Sequence, residues 1–447
     1  MQKDAPPGCG GTIGDFVLNL FDRRRVRLKQ ELSRESTLEK ESNSKNAPFQ
    51  GNLIELVHYA YDYAPYFRSL LDAEAVRPDE IHTREDLQKI PVTHKDDLIQ
   101  LQAKNPPLGG WLAQKAGRLR RVFLSPGPIF DPEGDTDDFW HFEKALRLAG
   151  FRAGDIVQNT FSYHMTPGGF MLDAGLRKLG CVVFPAGVGN TNLQVQAAAA
   201  LKITGYTGTP SFLMAILKKA EEMGYHPKRD LHYRAALVTG EPLPPSLRER
   251  FQKEYSIAVY QVYATADIGC AGFECGRREG WHLSRETLVQ ICDPASGEEL
   301  PPGETGEIVV THFDPAYPLI RFGTGDLSFQ MKDPCPCGNS SPRLGGYMGR
   351  IGEGIKVKGM FVHPNQVQTV VNPYSEVEGF QMVVSRKAHQ DVLTYRLKNP
   401  DPDSVSAELT SELEQKLRDV VKVAGKIEWV RAFEVPDRRI IDLRRWE

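Results

Sequence analysis

The sequence lacks long apolar runs and lacks an excess of charge of either sign. No stretch approaches the roughly 18 consecutive apolar residues that a membrane-spanning helix requires. The 55 basic residues face 58 acidic ones, and the formal net charge is −3 at pH 7. We therefore expect neither a membrane protein nor a nucleic-acid-binding protein with a broad basic surface.

Cysteine is scarce as well, with seven residues in the whole chain. An odd and low count argues against the disulfide framework of a secreted protein. The apolar stretch 16–21 is followed by three arginines at 23–25, which reverses the charge order of a secretory signal. These features predict a cytoplasmic protein in which clustered cysteines bind a metal.

Short apolar runs alternate with amphipathic segments from about residue 117 onward. This order predicts an α/β fold, a mixed sheet covered by helices, with antiparallel strands near 286–292 and 307–313. Upstream, 83–90 and 93–103 are expected to be short helices. A second series of strands and helices after residue 350 predicts a small α+β unit. We expect a weakly structured arm at 1–48, a large domain at 49–349 and a small mobile C-terminal domain at 350–447.

Glycine-rich turns follow several of the expected strands, for example at Gly189, Gly208 and Gly240. Ligands of open α/β sheets bind outside the carboxyl ends of the strands, where helix N-termini attract anions. Two carboxylates, Asp267 and Asp326, also stand at expected strand ends. Such carboxylates hold Mg²⁺ or accept hydrogen bonds from ribose hydroxyls, although capping of a turn is an equally good interpretation.

Four residues have the composition of a closed zinc site. Cys275 and His282 are followed, after a hairpin-sized gap, by Cys335 and Cys337. Three thiolates and one imidazole match a structural, tetrahedral Zn²⁺ site, and Cys270 is an alternative ligand.

Long motifs in a fixed order resemble the phenylacetate–coenzyme A ligase branch of the adenylate-forming enzymes. They include GCVVFPAGVGNTNLQ at 180–194, TGTPSFL at 207–213, YATADIG at 263–269, YPLIRFGTGDL at 317–327 and GRIGEGIKVKGMFVHPNQV at 349–367. The resemblance implies the adenylate-forming fold and two half-reactions. In the first, ATP converts a carboxylic acid to an acyl-adenylate with release of pyrophosphate. In the second, the acyl group passes to the thiol of coenzyme A after rotation of the C-terminal domain.

The resemblance also assigns roles to individual residues. Asp267 would serve as the Mg²⁺ ligand, and Arg350 would contact the nucleotide at the domain junction. Asp326 would bind the ribose hydroxyls. The adenine would lie near Gly240, Glu241, Tyr263, Ala264 and Thr265, and the acyl pocket near Tyr163, His164 and Gly168. Some members of this branch bind zinc with the same cysteine and histidine pattern.

The sequence departs from the family pattern at the two positions where the family has a functional lysine. The phosphate loop normally carries a lysine, whereas the stretch 125–133 reads SPGPIFDPE, with three prolines that cannot donate a hydrogen bond. Five acids stand at 131–138, and we expect Asp135 or Thr136 to cap the next helix. At the C-terminus either Pro436 or Arg439 occupies the position of the catalytic lysine, so Arg439 is the candidate cation there. Gly352 replaces the usual hinge aspartate.

Three hypotheses follow, in decreasing order of preference. The first is a ligase that joins an aryl, phenylacetate-like acid or another carboxylic acid to coenzyme A, using ATP, Mg²⁺ and a structural Zn²⁺. The second is an impaired family member that binds nucleotide or acyl-thioester, or an adenylating enzyme with a different acceptor such as a carrier protein. The third is a zinc-stabilised scaffold. The oligomeric state stays open, with a homodimer as one alternative.

Overall fold

The computed structural model describes residues 52–445 except 126, 352, 353, 359, 363, 422 and 437. The arm expected at 1–48 therefore lies outside the described residues, as do Cys9, Pro126 and Gly352. The described chain begins with two helices, α1 (Leu53–Tyr63) and α2 (Pro65–Ala73). Asn52 caps α1 by accepting a hydrogen bond from the Glu55 backbone at 3.3 Å.

The segment 83–103 differs from the two helices expected there. Only a short 3₁₀ turn, Glu85–Lys89, and one helix, α3 (Asp97–Lys104), form. Between them lies strand β1 (Thr93–His94), which pairs in parallel with residues 322–323. The expectation of a helix from Thr93 is wrong because the backbone of this segment bonds to a strand more than 220 residues further along the chain.

The stretch expected to resemble a phosphate loop folds into a hairpin. Its strands are β2 (Arg121–Ser125) and β3 (Ile129–Glu133), paired in antiparallel register. The helix after it, α4 (Glu143–Leu148), begins later than expected, since Asp138 and His141 adopt positive φ. Asp138 caps this helix by accepting from the Phe142 and Glu143 backbones at 2.8 Å, so the expected caps at 135 or 136 are wrong.

The large sheet has eight strands in the order β14-β10-β9-β8-β7-β6-β4-β5. Five of them are parallel, namely β4 (Ile156–Asn159), β5 (Val182–Pro185), β6 (Gly205–Gly208), β7 (Ala235–Val238) and β8 (Ala258–Thr265). The antiparallel ones are β9 (Gly269–Phe273), β10 (Trp281–Leu283) and β14 (Arg343–Leu344). The predicted α/β class is confirmed.

Helices connect the parallel strands and cover the sheet. They are α5 (Gly168–Leu179), α6 (Thr191–Ala200), α7 (Pro210–Glu222), α8 (Pro227–Asp230) and α9 (Pro245–Tyr255). Sequence reasoning missed α5, whose first two residues are glycines, although its face Met171, Leu172 and Leu176 is buried in the core. Among the described residues, no helix combines the length and the apolar character needed to cross a bilayer.

A second sheet contains β11 (Thr287–Cys292), β12 (Thr305–His312) and β13 (Phe322–Phe329). Its order is β1-β13-β12-β11, and β15 (Gly349–Arg350) also pairs with β13. This pairing places Asp326 opposite Arg350 in the strand register.

The C-terminal part has its own core, formed by residues between 355 and 440. It contains the hairpin β16 (Ile355–Val357) and β17 (Met360–Val362), helix α10 (Pro364–Val371) and helix α11 (Ala407–Val421). Its four-stranded sheet comprises β18 (Gly379–Lys387), β19 (Gln390–Lys398), β20 (Gly425–Val430) and β21 (Ile440–Asp442). The expected strands and helices form here, while the domain boundary near residue 350 stays a prediction.

Candidate functional site

A cavity of about 540 Å³ lies at the carboxyl ends of the parallel strands. The turns after β4, β6 and β7 and the last residues of β8 line it, through Thr160, Thr209, Gly240 and Ala264, among others. This edge of the sheet is where α/β folds bind ligands. Glycine is required at Gly208, because a Cβ atom there would lie 2.0 Å from the Thr160 hydroxyl.

One end of the cavity contains a buried carboxylate held between two partners. Asp326 accepts hydrogen bonds from the Arg350 guanidinium at 2.8 Å and from the Tyr263 hydroxyl at 3.0 Å. Both Asp326 and Arg350 line the cavity. Gly325 lies beneath Arg350 at φ +76°, where a Cβ would approach the guanidinium to 3.1 Å. Burial, followed by the charge of Asp326, raises the pKa of the Tyr263 hydroxyl, so it remains a hydrogen-bond donor.

The residues expected beside an adenine divide into two groups. Gly240, Ala264 and Thr265 line the cavity, whereas Tyr263 and Glu241 lie behind its wall. The Glu241 carboxylate is buried and accepts from the Ser211 backbone at 2.7 Å, near the start of α7. Burial raises the pKa of Glu241. Tyr263 and Glu241 thus hold lining residues in position and do not contact the cavity themselves.

A charged cluster that sequence reasoning missed lies beside the phosphate-loop hairpin. Lys95 lines the cavity, and its ammonium is 2.5 Å from the fully buried carboxylate of Asp267. The Asp131 carboxyl group contacts that of Asp267 and accepts a hydrogen bond from the Ser125 hydroxyl. Burial and the charge of Asp267 raise the pKa of Asp131 to about 8. The only sequence signal for Lys95 was a lysine before two aspartates at a helix start, which is also typical of a solvated helix.

Much of the remaining cavity lining is apolar. Aliphatic and aromatic side chains form it, namely Ile99, Ile129, Phe142, Phe161, Met171, Leu172, Val188 and Phe212. Of the three residues expected in the acyl pocket, only Gly168 is among the lining residues. Tyr163 directs its hydroxyl to Asn159 at 2.8 Å and Asp173 at 3.1 Å, and His164 is exposed to solvent. The structure therefore does not bring Tyr163 and His164 into the cavity.

Three residues of the C-terminal part also line the cavity, Lys358, Gln390 and Asp391. Asp391 accepts hydrogen bonds from Arg386 at 3.3 Å, from Arg444 at 3.2 Å and from the Lys358 backbone at 3.3 Å. Arg439, the expected cation of the C-terminus, is not among the lining residues that the structure describes. Its guanidinium lies over the Phe380 ring, 5.4 Å from the ring centroid.

The four expected zinc ligands lie together, with their ligand atoms all within 4.8 Å of one another. The Cys275 and Cys335 sulfurs are 3.7 Å apart, and the Cys337 sulfur is 3.4 Å from Nε2 of His282. A zinc–sulfur bond of about 2.3 Å gives a tetrahedron edge of about 3.8 Å, which matches the sulfur separation. The other ring nitrogen of His282 faces the Ser341 carbonyl at 3.4 Å. The donor set and spacing fit Zn²⁺, and the Ser341 contact suits a ligating histidine.

Cys270, the alternative ligand, lies in the main core and contacts the Gly272 carbonyl through its sulfur. Backbone N–H groups of Arg277 and Asn339 donate to the Cys275 and Cys337 sulfurs, each at 3.4 Å. The Asn339 N–H is the main cause that lowers the pKa of the Cys337 thiol. Such donors stabilise thiolates, which are the metal-binding form of cysteine.

The cysteine–histidine cluster is connected to the carboxylate of Asp326 by stacked side chains. His282 is preceded on β10 by Trp281, whose ring stacks on Tyr263 at a centroid distance of 5.6 Å. Tyr263 in turn donates to Asp326. The two chain segments that carry the cysteine–histidine cluster, 275–282 and 335–337, therefore support one wall of the cavity.

Comparison with known proteins identifies similar sequences over most of the chain. A family model described as AMP-binding enzyme matches residues 141–313. The chain is 28% identical to a phenylacetate–coenzyme A ligase of Thermus thermophilus, over 88% of this chain and 95% of that protein. It is 23% identical to the phenylacetate–coenzyme A ligase of Escherichia coli, over 86% and 92% of the two chains.

Solved structures of a 2-hydroxyisobutyryl-CoA ligase share the fold at 25% identity. The crystal structure with 2-HIB-AMP and CoA in the thioesterification state superposes with a TM-score of 0.80 over 90% of each chain. A crystal structure of the same ligase in the postadenylation state gives 0.65 over 88% of each chain. The arrangement of the present chain is thus more similar to the thioesterification state than to the postadenylation state.

Proposed function

This chain belongs to the phenylacetate–coenzyme A ligase family of adenylate-forming enzymes, and we propose that it activates a carboxylic acid with ATP and transfers the acyl group to coenzyme A. One observation carries the proposal: a single cavity joins the carboxylate–guanidinium pair of Asp326 and Arg350 to an apolar pocket. The polar lining suits a nucleotide, and the apolar lining suits the hydrocarbon part of an acid.

In the first half-reaction, a carboxylate oxygen of the acid attacks the α-phosphorus of ATP, and the bond to the β-phosphate breaks as pyrophosphate leaves. Asp326 accepts hydrogen bonds from the ribose hydroxyls, and Arg350 lies beside it as a positive charge. Asp267 and its neighbours fit Mg²⁺, because its second carboxylate oxygen is buried without a hydrogen-bond partner among the described residues. Mg²⁺ would offset the repulsion between the two anions.

Lys95 provides a lysine where the phosphate-loop stretch 125–133 and the C-terminus lack the usual ones. It lines the same cavity as Ser125 and Gly127, the residues retained from the phosphate loop. Since Asp267 already orients its ammonium, Lys95 is available to pair with phosphate oxygens when the nucleotide binds. This arrangement favours an active ligase over an impaired family member.

In the second half-reaction, the thiol of coenzyme A attacks the acyl carbonyl as a thiolate, and AMP leaves. Asp391, which lines the cavity and receives the Lys358 backbone N–H, holds the tip of the β16–β17 hairpin at this position. The similarity to a thioesterification-state structure supports a role for this hairpin in thioester formation. Arg439, which lies away from the cavity here, would act only after the C-terminal part rotates for adenylation.

The substrate we propose is an aryl, phenylacetate-like acid. Phe142, Phe161 and Phe212 supply flat apolar walls to the pocket, and Gly168 leaves room beside them. Aromatic rings pack favourably against such walls in offset or edge-to-face geometry.

Zinc is proposed as a structural ion bound by Cys275, His282, Cys335 and Cys337. Metal analysis of the purified protein should give one zinc per chain, and the Cys335→Ser variant should lose it. Since the cluster supports Tyr263 through Trp281, that variant should also bind ATP more weakly. Zinc content that stays unchanged in the variant would contradict the assignment. None of the six described cysteines forms a disulfide, which suits the reducing cytoplasm where we place the reaction.

The proposed reaction is tested by pyrophosphate exchange into ATP with a panel of aryl and short aliphatic acids, followed by assay of acyl-CoA formation. We expect exchange that depends on an aryl acid and on Mg²⁺, and thioester when coenzyme A is added. ATP binding without exchange for any acid would favour the impaired alternative. Exchange without thioester would point to a different acceptor.

A further inference from the structure

Two buried carboxyl groups face each other beside the phosphate-loop hairpin. Asp131 is 1% exposed and Asp267 is 3% exposed, and the two carboxyl groups are close neighbours. One oxygen of Asp267 binds Lys95, and one oxygen of Asp131 binds Ser125. The remaining oxygen of each, Oδ1, has no hydrogen-bond partner among the described residues. Carboxylate oxygens buried in this way require a proton or a cation between them.

A third buried oxygen atom lies near the pair. It is the hydroxyl of Tyr317, whose side chain is 1% exposed and which has Gln102 as a polar neighbour. All three donors are oxygens, the ligand type that Mg²⁺ and Mn²⁺ prefer.

The charge balance of the cluster also favours a divalent cation. When both carboxyl groups are ionised, they carry two negative charges against the single ammonium of Lys95. That ammonium lies on the cavity side, since Lys95 lines the cavity while Asp131 and Asp267 do not. A divalent ion would neutralise both carboxylates and release Lys95 into the cavity. Protein sites for Mg²⁺ commonly use one or two carboxylates together with substrate phosphates.

We propose that Asp131 is a second carboxylate ligand of the catalytic divalent cation, so that the phosphate-loop hairpin contributes a metal ligand. The inference rests on the proposed role of Asp267 and extends it. The acidic hairpin residue then attracts the triphosphate through the cation, although its own charge repels phosphate. In the absence of nucleotide, Lys95 occupies the side of Asp267 that faces the cavity, and the cation competes with it.

The test measures Mn²⁺ binding to the full-length protein without ATP or acid, from the loss of the free Mn²⁺ signal in electron paramagnetic resonance. We expect one site per chain in the native protein. The Asp131→Asn variant should weaken Mn²⁺ binding by about tenfold or more, in the range that loss of a metal-supporting group produces. The matched control is Asp137→Asn, in the same acidic run but exposed and paired with Arg120, which should bind Mn²⁺ normally.

A second variant tests the same site without altering either carboxylate. Lys95→Met removes the competing ammonium and should tighten Mn²⁺ binding several-fold. Native affinity in Asp131→Asn with lost affinity in Asp267→Asn would overturn the inference and leave the proposed function intact. If Asp131→Asn does not fold, unchanged or weaker binding in Lys95→Met would overturn the inference. No Mn²⁺ binding to the native protein, in a preparation that exchanges pyrophosphate, would also overturn it.

Discussion

Replacement of Lys95 by methionine is the sharpest test of the cavity chemistry. Methionine keeps most of the length of the side chain and removes the charge. The Lys95 side chain is 16% exposed and its partner carboxylate in Asp267 is fully buried. Removal of one partner from a buried ion pair costs about 3 to 5 kcal/mol, because the other charge stays buried. The partial exposure of Lys95 places the expected loss of unfolding free energy near the lower value, at about 3 kcal/mol.

The two half-reactions should respond differently to this substitution. Pyrophosphate exchange should fall by about 100-fold to 1,000-fold, as expected when a group that stabilises developing charge is removed. Thioester formation from a synthetic acyl-adenylate should fall far less, since no pyrophosphate is formed in that step. Urea unfolding, pyrophosphate exchange and single-turnover thioester formation give the three measurements.

A matched control for Lys95→Met is Lys104→Met, at the exposed last residue of α3. It should change the free energy of unfolding by no more than about 0.5 kcal/mol, the usual range for a surface substitution. It should also leave the rate of pyrophosphate exchange unchanged. A Lys95→Met enzyme that folds and exchanges pyrophosphate at the native rate would refute the role assigned to Lys95.

Three further predictions follow from the contacts of the described residues. Arg350→Ala should weaken ATP binding by about tenfold or more in calorimetry, because Asp326 loses a charged hydrogen bond. The control Arg120→Ala, which removes the exposed ion pair with Asp135, should leave ATP binding unchanged. Asp391→Asn should slow thioester formation by about tenfold, since Asp391 holds the Lys358 turn through a charged hydrogen bond. The rate of pyrophosphate exchange should stay within about twofold of the native rate. Equal loss in both assays would contradict this role of Asp391. Burial lowers the pKa of His312 from 6.5 to about 3, so the unfolded chain binds a proton that the folded chain excludes. The native protein should therefore lose about 1 kcal/mol of stability per pH unit from this residue as the pH falls below 6.5. In urea unfolding at pH 7.5 and 5, His312→Leu should reduce that loss, and a native-like pH dependence in the variant would disprove the assignment.

Much of the fold and part of the site follow from local patterns in the sequence. The apolar runs at 155–161, 181–185, 203–206 and 235–239 all become parallel strands, because each is short and bounded by turn residues. Spacing alone also grouped the four cysteine and histidine residues that the structure brings together. Helix α5 was missed because its first two residues, Gly168 and Gly169, favour a loop interpretation.

Side-chain direction explains the residues that were misplaced. Tyr163 and His164 do not line the cavity, yet residues on both sides of them do, such as Ser162 and Thr166. A turn directs successive side chains to different sides, and sequence position does not determine which of them faces the ligand. Tyr263 and Glu241 lie outside the cavity lining for the same reason, since each is one position away from a residue that does line the cavity.

The sequence by itself determined the α/β class, the strand-end turns, the family and the candidate set of one histidine and three cysteines, because each of these depends on residues close together or on long motifs. Only the tertiary structure revealed the cluster of Lys95, Asp131 and Asp267. Lys95 and Asp267 are separated by 172 residues, and the short strand that positions Lys95 exists only because it pairs with β13. An ion pair of this kind leaves no periodic pattern in the sequence, since both its geometry and its burial arise when distant segments pack together.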